Sequence, residues 1–333
     1  MKNPKNRKED HLELAFQSRT DPPGRDPRFH YEPLLQAHPI GGLPPIRFLG
    51  KALRVPMWVS GMTGGTPMAG IINRNLAMAC NEFGMGMGLG SCRTLLEDDS
   101  RFDDFDTRDI IGADLPLWAN LGIAQVEELV EKKQVEKAVA LVSKLRADGL
   151  VIHVNPMQEW FQPEGDVLHT APLDTIRSFM EQCSLPLMVK EVGQGMGPES
   201  LRELLRLPLQ AIEFAAYGGT NFARVELLRN DRTVQVYHEP LSLVGATAEE
   251  MVDHVNDIVS GEDNHCKEVI ISGGITHFLD GYYLIRKSAL PAIYGMASEL
   301  LRHAMDDYER LRDFIHAQVR GLEMAYTYLT LKE

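Results

Sequence analysis

Eight short apolar runs, spaced along 333 residues and separated by helix-like stretches, constrain this chain more than any other feature. They are residues 56–65, 84–91, 116–122, 149–155, 186–193, 211–219, 268–274 and 292–297, and most end in Gly, Ser, Asn or a charged residue. Runs of this length with such ends read as buried strands. Between most of them lie segments of helical periodicity. The clearest, QVEELVEKKQVEKAVALVSKLRADG (125–149), has apolar residues at helical spacing and a Gly stop. Strand and helix in alternation require parallel pairing through crossover helices. Eight repeats of the unit favour a closed (β/α)8 TIM barrel over an open doubly wound sheet. The longest gap, between the sixth and seventh strands, holds TVQVYHEPLSLVGATAEE and predicts an excursion or lid. Residues 1–50, rich in Pro and charge, read as an N-terminal extension, and residues 51–333 as the barrel.

Charge narrows the partners. With 34 Lys and Arg against 47 Asp and Glu the chain carries −13, which argues against nucleic acid and against anionic membrane surfaces. The acidic stretch 97–109 reads as a solvated face. Cys80, Cys92, Cys183 and Cys266 are scattered, with no CxxC and no zinc spacing, as expected of a reducing cytoplasm. No apolar run approaches the roughly 20 residues of a membrane helix. MKNPKNRKEDHLELAF lacks the apolar centre of a signal peptide. A cytoplasmic protein is expected.

In a (β/α)8 barrel the chemistry sits at the C-terminal ends of the strands. The fourth run ends in HVNPMQEWFQPEGD (153–166), a dense set of hydrogen-bonding and metal-binding groups. His153 and Asn155 project to one side by the strand period, and Gln158 and Glu159 follow in the loop. An ordinary solvated loop is the plainer alternative. The alternating glycines of GMGMGLGS (84–91) admit either a flat ring or close barrel packing. Ser91 and Arg93 at that strand end suit phosphate recognition, or a structural salt bridge. Lys190, inside an apolar strand, needs a partner: the adjacent acidic group, or the N1–C2=O edge of a flavin. SGGI (272–275) and YGMA (294–297) stand where barrels bind phosphate through backbone N–H groups. Together these describe a flat phosphorylated cofactor across the barrel mouth, FMN before any other.

RKEDH (7–11), SGMTGG (60–65), GLGSCR (88–93), ANLG (119–122), HVNPMQE (153–159), QPEGD (162–166), VKEVGQG (189–195), GGT (218–220), SGGI and GMA follow one another from Arg7 to about Ala304. In this order they resemble the type 2 isopentenyl-diphosphate isomerases, flavoproteins with a TIM barrel. The resemblance implies that Gly61, Met62, Thr63, Ser91, Asn120, Lys190, Thr220, Gly273, Gly274, Gly295 and Met296 contact FMN. It implies a prenyl diphosphate substrate held by Arg7, Lys8, His11, Ser91, Arg93 and Gln158, with His153, Asn155 and Gln158 at the chemistry and Mg²⁺ on Glu159. NADPH is the implied reductant, and reduced FMN the acid–base group near its N5. The RK××H motif implies that residues 1–50 close over the active site of the FMN-binding barrel, or over a neighbour's, and a homo-oligomer is expected. The chain departs from the family at three places. EFAAYGGT stands for D-V-S-G-x-G-G-T, losing a hydroxyl at Ala215. Thr276 and Phe278 replace an Arg and a Gly after SGGI, and PLSLVG (240–245) replaces F-x-D-W-G. Two other readings stay open: an FMN-dependent oxidoreductase, and a non-catalytic relative that binds flavin or prenyl diphosphate.

Overall fold

The computed structural model of the chain describes residues 4–332. Eight parallel strands close into a barrel: β1 (Met57–Val59), β2 (Gly86–Gly88), β3 (Leu117–Gly122), β4 (Gly149–His153), β5 (Leu187–Lys190), β6 (Ala211–Glu213), β7 (Val269–Ser272) and β8 (Ala292–Met296). Their order around the barrel is their order along the chain. Closure comes from β8 on β1, through Tyr294↔Met57, Gly295↔Trp58 and Met296↔Val59. Each of the eight apolar runs contains one strand.

Local signals set the helices. Helix Pro67–Phe83 begins at Thr66, whose hydroxyl accepts the Ala69 N–H at 3.2 Å, has Pro at its first position, and stops at Gly84 with φ +75°. Residues 125–149, expected as one helix, form two, Ile123–Glu131 and Glu136–Lys144, with Lys133 at φ +54° between them. A single helix over that stretch would run about 37 Å, whereas β3 and β4 beneath it have only 6 and 5 residues. Breaking it lets both pieces lay their apolar faces on the barrel. The excursion between β6 and β7 is helical, as Phe222–Arg229, Arg232–Ser242 and Ala248–Gly261.

Trp58, Trp118, Val151, Met188, Ile270 and Ile293 form one cluster with Phe48 and Leu53 of a hairpin, Ile46–Phe48 paired with Lys51–Leu53. A Cβ on Gly86 would stand 2.5 Å from the Trp58 ring, and one on Gly149 would stand 2.5 Å from the Trp118 ring. Here the strand glycine makes room for an indole, which is the close-packing alternative. The hairpin straddles residue 50, so the N-terminal segment and the barrel share a core. It is tied down by the Leu49 N–H, which donates to Glu268 at 2.7 Å, and by Lys51 on Asp148 at 2.6 Å. A second pair, Phe29–Tyr31 with Leu329–Leu331, fastens the segment to the end of the chain.

Phe48 is fully buried in this plug. Phe48→Ala is expected to lower unfolding free energy in urea by about 3–5 kcal/mol. A loss below about 1 kcal/mol would show that the hairpin is not part of the core.

Candidate active site

The C-terminal strand ends surround a cavity of about 330 Å³. Its walls come from the loops after β1, β5, β6, β7 and β8. Of the residues implicated from the sequence, Gly61, Met62, Lys190, Thr220, Gly273, Gly274, Gly295 and Met296 line it, and Thr63 lines an adjoining crevice. Ser91 and Asn120 line neither.

Two glycine turns face each other across one wall. Gly218, Gly273 and Gly274 have φ of +119°, +97° and +74°, a region open to glycine and costly for other residues. Backbone crowds backbone here: a Cβ on Gly219 would lie 3.0 Å from the Gly274 nitrogen, and one on Gly273 would lie 2.1 Å from the Ala216 oxygen. Among the described residues, the amides of Gly218, Gly219, Gly273 and Gly274 donate to no protein acceptor. Unpaired backbone N–H groups in closely opposed glycine turns are suited to holding an anion. The opposite wall is pinned by contact between loops, since a Cβ on Gly61 would stand 2.1 Å from the Leu89 oxygen.

Lys190 ends β5, 6% exposed, with its ammonium donating to the Glu191 backbone oxygen at 2.9 Å. The Glu191 carboxylate is not its partner. That group accepts the amides of Gly193, Gln194 and Gly195 at 2.6, 2.6 and 3.0 Å. Burial pushes the Glu191 carboxyl up, and those N–H groups oppose the shift. Among the described residues, no carboxylate pairs with Lys190 within 4.0 Å. A buried cation facing an enclosed space with one carbonyl for company is set for a negatively polarised ligand edge. The Ser60 hydroxyl, also on the cavity wall, is buried without a partner among the described residues.

The cluster after β4 stands beside this cavity, joined through the His153↔Lys190 register. Asn120 donates to the Leu89 oxygen at 3.0 Å, which turns its own oxygen toward His153 Nδ1 at 2.8 Å. The Nδ1 therefore carries the hydrogen, and Nε2 keeps its lone pair. Burial, and then the Lys190 charge, push His153 down to about 3. Asn155 donates to Gln158 Oε1 at 3.1 Å and to Glu159 Oε1 at 3.0 Å, while its own oxygen is buried and unpartnered. Glu159 Oε2 accepts the Asp166 N–H at 2.9 Å. Asp166 in turn pairs with Arg93 at 2.9 Å and accepts from Gln125 at 3.2 Å. So Arg93 does make a salt bridge, but an exposed one that is worth little and readily exchanged. Among the described residues, no three His, Cys, Asp or Glu side chains converge as a ready metal site.

Sequence reasoning missed Glu226. It is buried on helix Phe222–Arg229, accepts from Gln158 Nε2 at 3.2 Å and pairs with Arg229 at 2.5 Å. The signal was present, since Glu226 shares a helical face with the buried Ala223 and Leu227. Arg7, Lys8 and His11 lie on helix Pro4–Leu14, are exposed, and line no part of the cavity. At the departures from the family pattern, Ala215 sits at φ +44° on the cavity wall with its N–H on Ser272 Oγ at 2.9 Å. The Thr276 hydroxyl bonds Asp280 at 3.2 Å, and Asp280 also holds Arg28 at 3.0 Å. Phe278 turns its ring onto Gly321, where a Cβ would stand 2.4 Å away.

Stability should record the neutral His153. The unfolded ring takes up a proton below its ordinary 6.5 and the folded one only near 3. The contribution is thus whole above pH 6.5 and is lost as pH falls, by up to about 1.4 kcal/mol per pH unit. Urea unfolding of the wild type and His153→Gln between pH 7 and pH 4 tests this. The wild type is expected to weaken more steeply, and parallel curves would contradict a neutral buried ring.

No protein-family model matches the chain. Among solved structures, a mandelate oxidase variant bearing a monooxide FMN adduct aligns at TM-score 0.58 and 15% identity, over 92% of this chain and 88% of that one. A flavocytochrome b2 variant with sulfite bound aligns at TM-score 0.60 and 13% identity, over 89% and 71%. At such identities the likeness is one of fold. Sequence relatives are nearer. The isopentenyl-diphosphate delta-isomerase of Rickettsia felis is 34% identical over 279 residues, 83% of this chain and 77% of the relative. That of Deinococcus radiodurans is 33% identical over 278 residues, 84% and 78%. With a third of its residues shared over most of both lengths, and HVNPMQE and QPEGD carrying the polar cluster after β4, this chain belongs to the type 2 isopentenyl-diphosphate delta-isomerase family.

Proposed function

We propose that this protein isomerises isopentenyl diphosphate to dimethylallyl diphosphate, with FMN in the cavity and Mg²⁺ on the substrate diphosphate. The observation that carries the reading is the buried Lys190 ammonium facing the same cavity as two glycine turns with unpaired amides. A ligand filling that space needs an electron-rich edge at one end and an anionic group at the other, and FMN has both. The unpartnered Ser60 hydroxyl is a further donor or acceptor for it. When bound and reduced, this cofactor supplies acid–base chemistry at the substrate double bond, with NADPH the expected source of its electrons.

The chain's own residues hold and orient. Lys190 places a positive charge at the flavin edge. Gly218, Gly219, Gly273 and Gly274 offer their N–H groups to its phosphate, which lowers the need for the missing side chain at Thr276. Gln158 has both ends of its amide fixed, by Asn155 on the oxygen and Glu226 on the nitrogen, so it presents one orientation to the substrate. His153, neutral with a lone pair on Nε2, is an acceptor until a diphosphate beside it draws a proton onto the ring. Arg93 exchanges Asp166 for diphosphate oxygens. Arg7, Lys8 and His11 add charge when helix Pro4–Leu14 moves over the mouth.

Glu159 fits a magnesium ion shared with substrate. Each of its oxygens accepts a single hydrogen bond and keeps a lone pair, and Mg²⁺ is often bound by one or two carboxylates with phosphate oxygens and water.

Purified protein incubated with FMN and isopentenyl diphosphate should form dimethylallyl diphosphate when the flavin is reduced by dithionite or NADPH. Oxidised flavin should give none. A protein that takes up no FMN in titration removes the cofactor. Stoichiometric consumption of NADPH with substrate would point to an oxidoreductase.

Glu159→Gln is expected to lose Mg²⁺-dependent turnover by 100-fold or more, on the order of 3 kcal/mol of transition-state stabilisation, while FMN affinity stays within a factor of about two. An unchanged Mg²⁺ response would return Glu159 to a purely structural role beneath Asp166.

A further inference from the structure

Two carboxylates share the cavity wall with Lys190. Glu299 is paired with Arg302. Glu213 is not paired. It ends β6, is 1% exposed, and lies opposite Lys190 in the β5–β6 register. Among the described residues its one hydrogen bond comes from Ser272 Oγ at 3.2 Å, and that hydroxyl also accepts the Ala215 N–H. Among the described residues no cation stands within 4.0 Å of Glu213. A buried carboxylate with one neutral donor is costly unless a charge elsewhere offsets it. The unpaired charge on the same wall is Lys190, which has no carboxylate within that distance either.

Resting on the reading of this cavity as an FMN site, we propose that Glu213 is a positioning residue that acts through Lys190. Its charge partly cancels the Lys190 charge at the flavin edge and so sets how strongly the cavity prefers reduced over oxidised cofactor. Reduction adds electron density at the edge that Lys190 faces. A negative charge beside that cation weakens the preference for the reduced form, and removing it strengthens the preference. This holds without Glu213 touching the reacting atoms. The side chain sits on a barrel strand rather than a loop, so its distance from Lys190 is set by the sheet.

The test is a redox titration of the flavin-loaded protein against a dye of known potential, with FMN affinity measured in both oxidation states. Glu213→Gln keeps an oxygen for Ser272 and removes only the charge. It should tighten reduced FMN relative to oxidised FMN on the order of tenfold, which is about 30 mV upward for a two-electron couple. Glu213→Asp, which retains the charge, should stay near the wild-type potential. Ser272→Ala, which removes the hydrogen bond and leaves the charge, should do the same. A flavin-loaded Glu213→Gln protein with an unmoved potential overturns the proposal, and so does a Ser272→Ala shift as large as that of Glu213→Gln. A wild-type protein that takes up no FMN is a different result, and overturns the reading of the cavity itself.

Discussion

Barrel closure is the constraint on which the rest depends. Once β8 pairs with β1, every strand has two neighbours, and hydrogen-bonding groups without a strand partner are left in the loops at the barrel's ends. At the lower end a hairpin fills the opening, with Phe48 and Leu53 against Trp58 and Trp118. At the upper end a cavity stays open, walled by apolar side chains such as Met62, Phe222 and Ile275 together with polar groups. Among the described residues the glycine amides of the turns after β6 and β7 have no protein acceptor, and the strand-end side chains of β5, β6 and β7 are Lys190, Glu213 and Ser272. One architecture thus yields a packed floor and a polar mouth.

The mouth buries charge, and each buried group is held differently. Glu191 spends its carboxylate on three successive amides, a turn that needs Gly193 at φ +126° and Gly195 at φ +68°. This accounts for VKEVGQG as a unit: the acid organises the loop, and the glycines let the loop be organised. Lys190 is thereby left without its neighbour's charge and turns to the cavity. His153 meets burial by staying neutral, with its tautomer chosen by Asn120. A site assembled from uncompensated or neutralised groups is poised for an anionic ligand, and the net −13 of the whole chain says nothing against it.

The eight strands were legible because each is a short apolar run ending in polar or Gly residues, and burial by helices on one side and core on the other demands that pattern. Much of the mouth was legible for a related reason, since a Lys on an apolar strand or paired glycines at a strand end cost stability unless something uses them. The break at Lys133 was not, because helical apolar spacing is present on both sides of it, at Val126, Leu129 and Val130 and again at Val135, Ala138 and Val142, and the positive φ between the two helices appears only in the folded chain. Glu226 escaped because an acidic residue in a helix reads as solvent-facing until its flanking Ala223 and Leu227 are seen to be buried. Close packing was one of the two readings the alternating glycines allowed, but what packs there was hidden: Gly86 admits an indole from β1, a contact between strands that no spacing along one strand contains.

By itself the sequence determined the number and order of strands, the end of the barrel at which the cavity opens, and the family. All three follow from local composition: apolar runs, the polar residues that end them, and motifs contiguous in the chain. Tertiary structure decided which polar groups meet. The Glu191 carboxylate reaches its own loop rather than Lys190, Asp166 reaches Arg93 from 73 residues away, and Glu213 and Lys190 share a wall with no bond between them. Those outcomes turn on distances of a few ångströms between different strands, and such distances exist only after the barrel has closed.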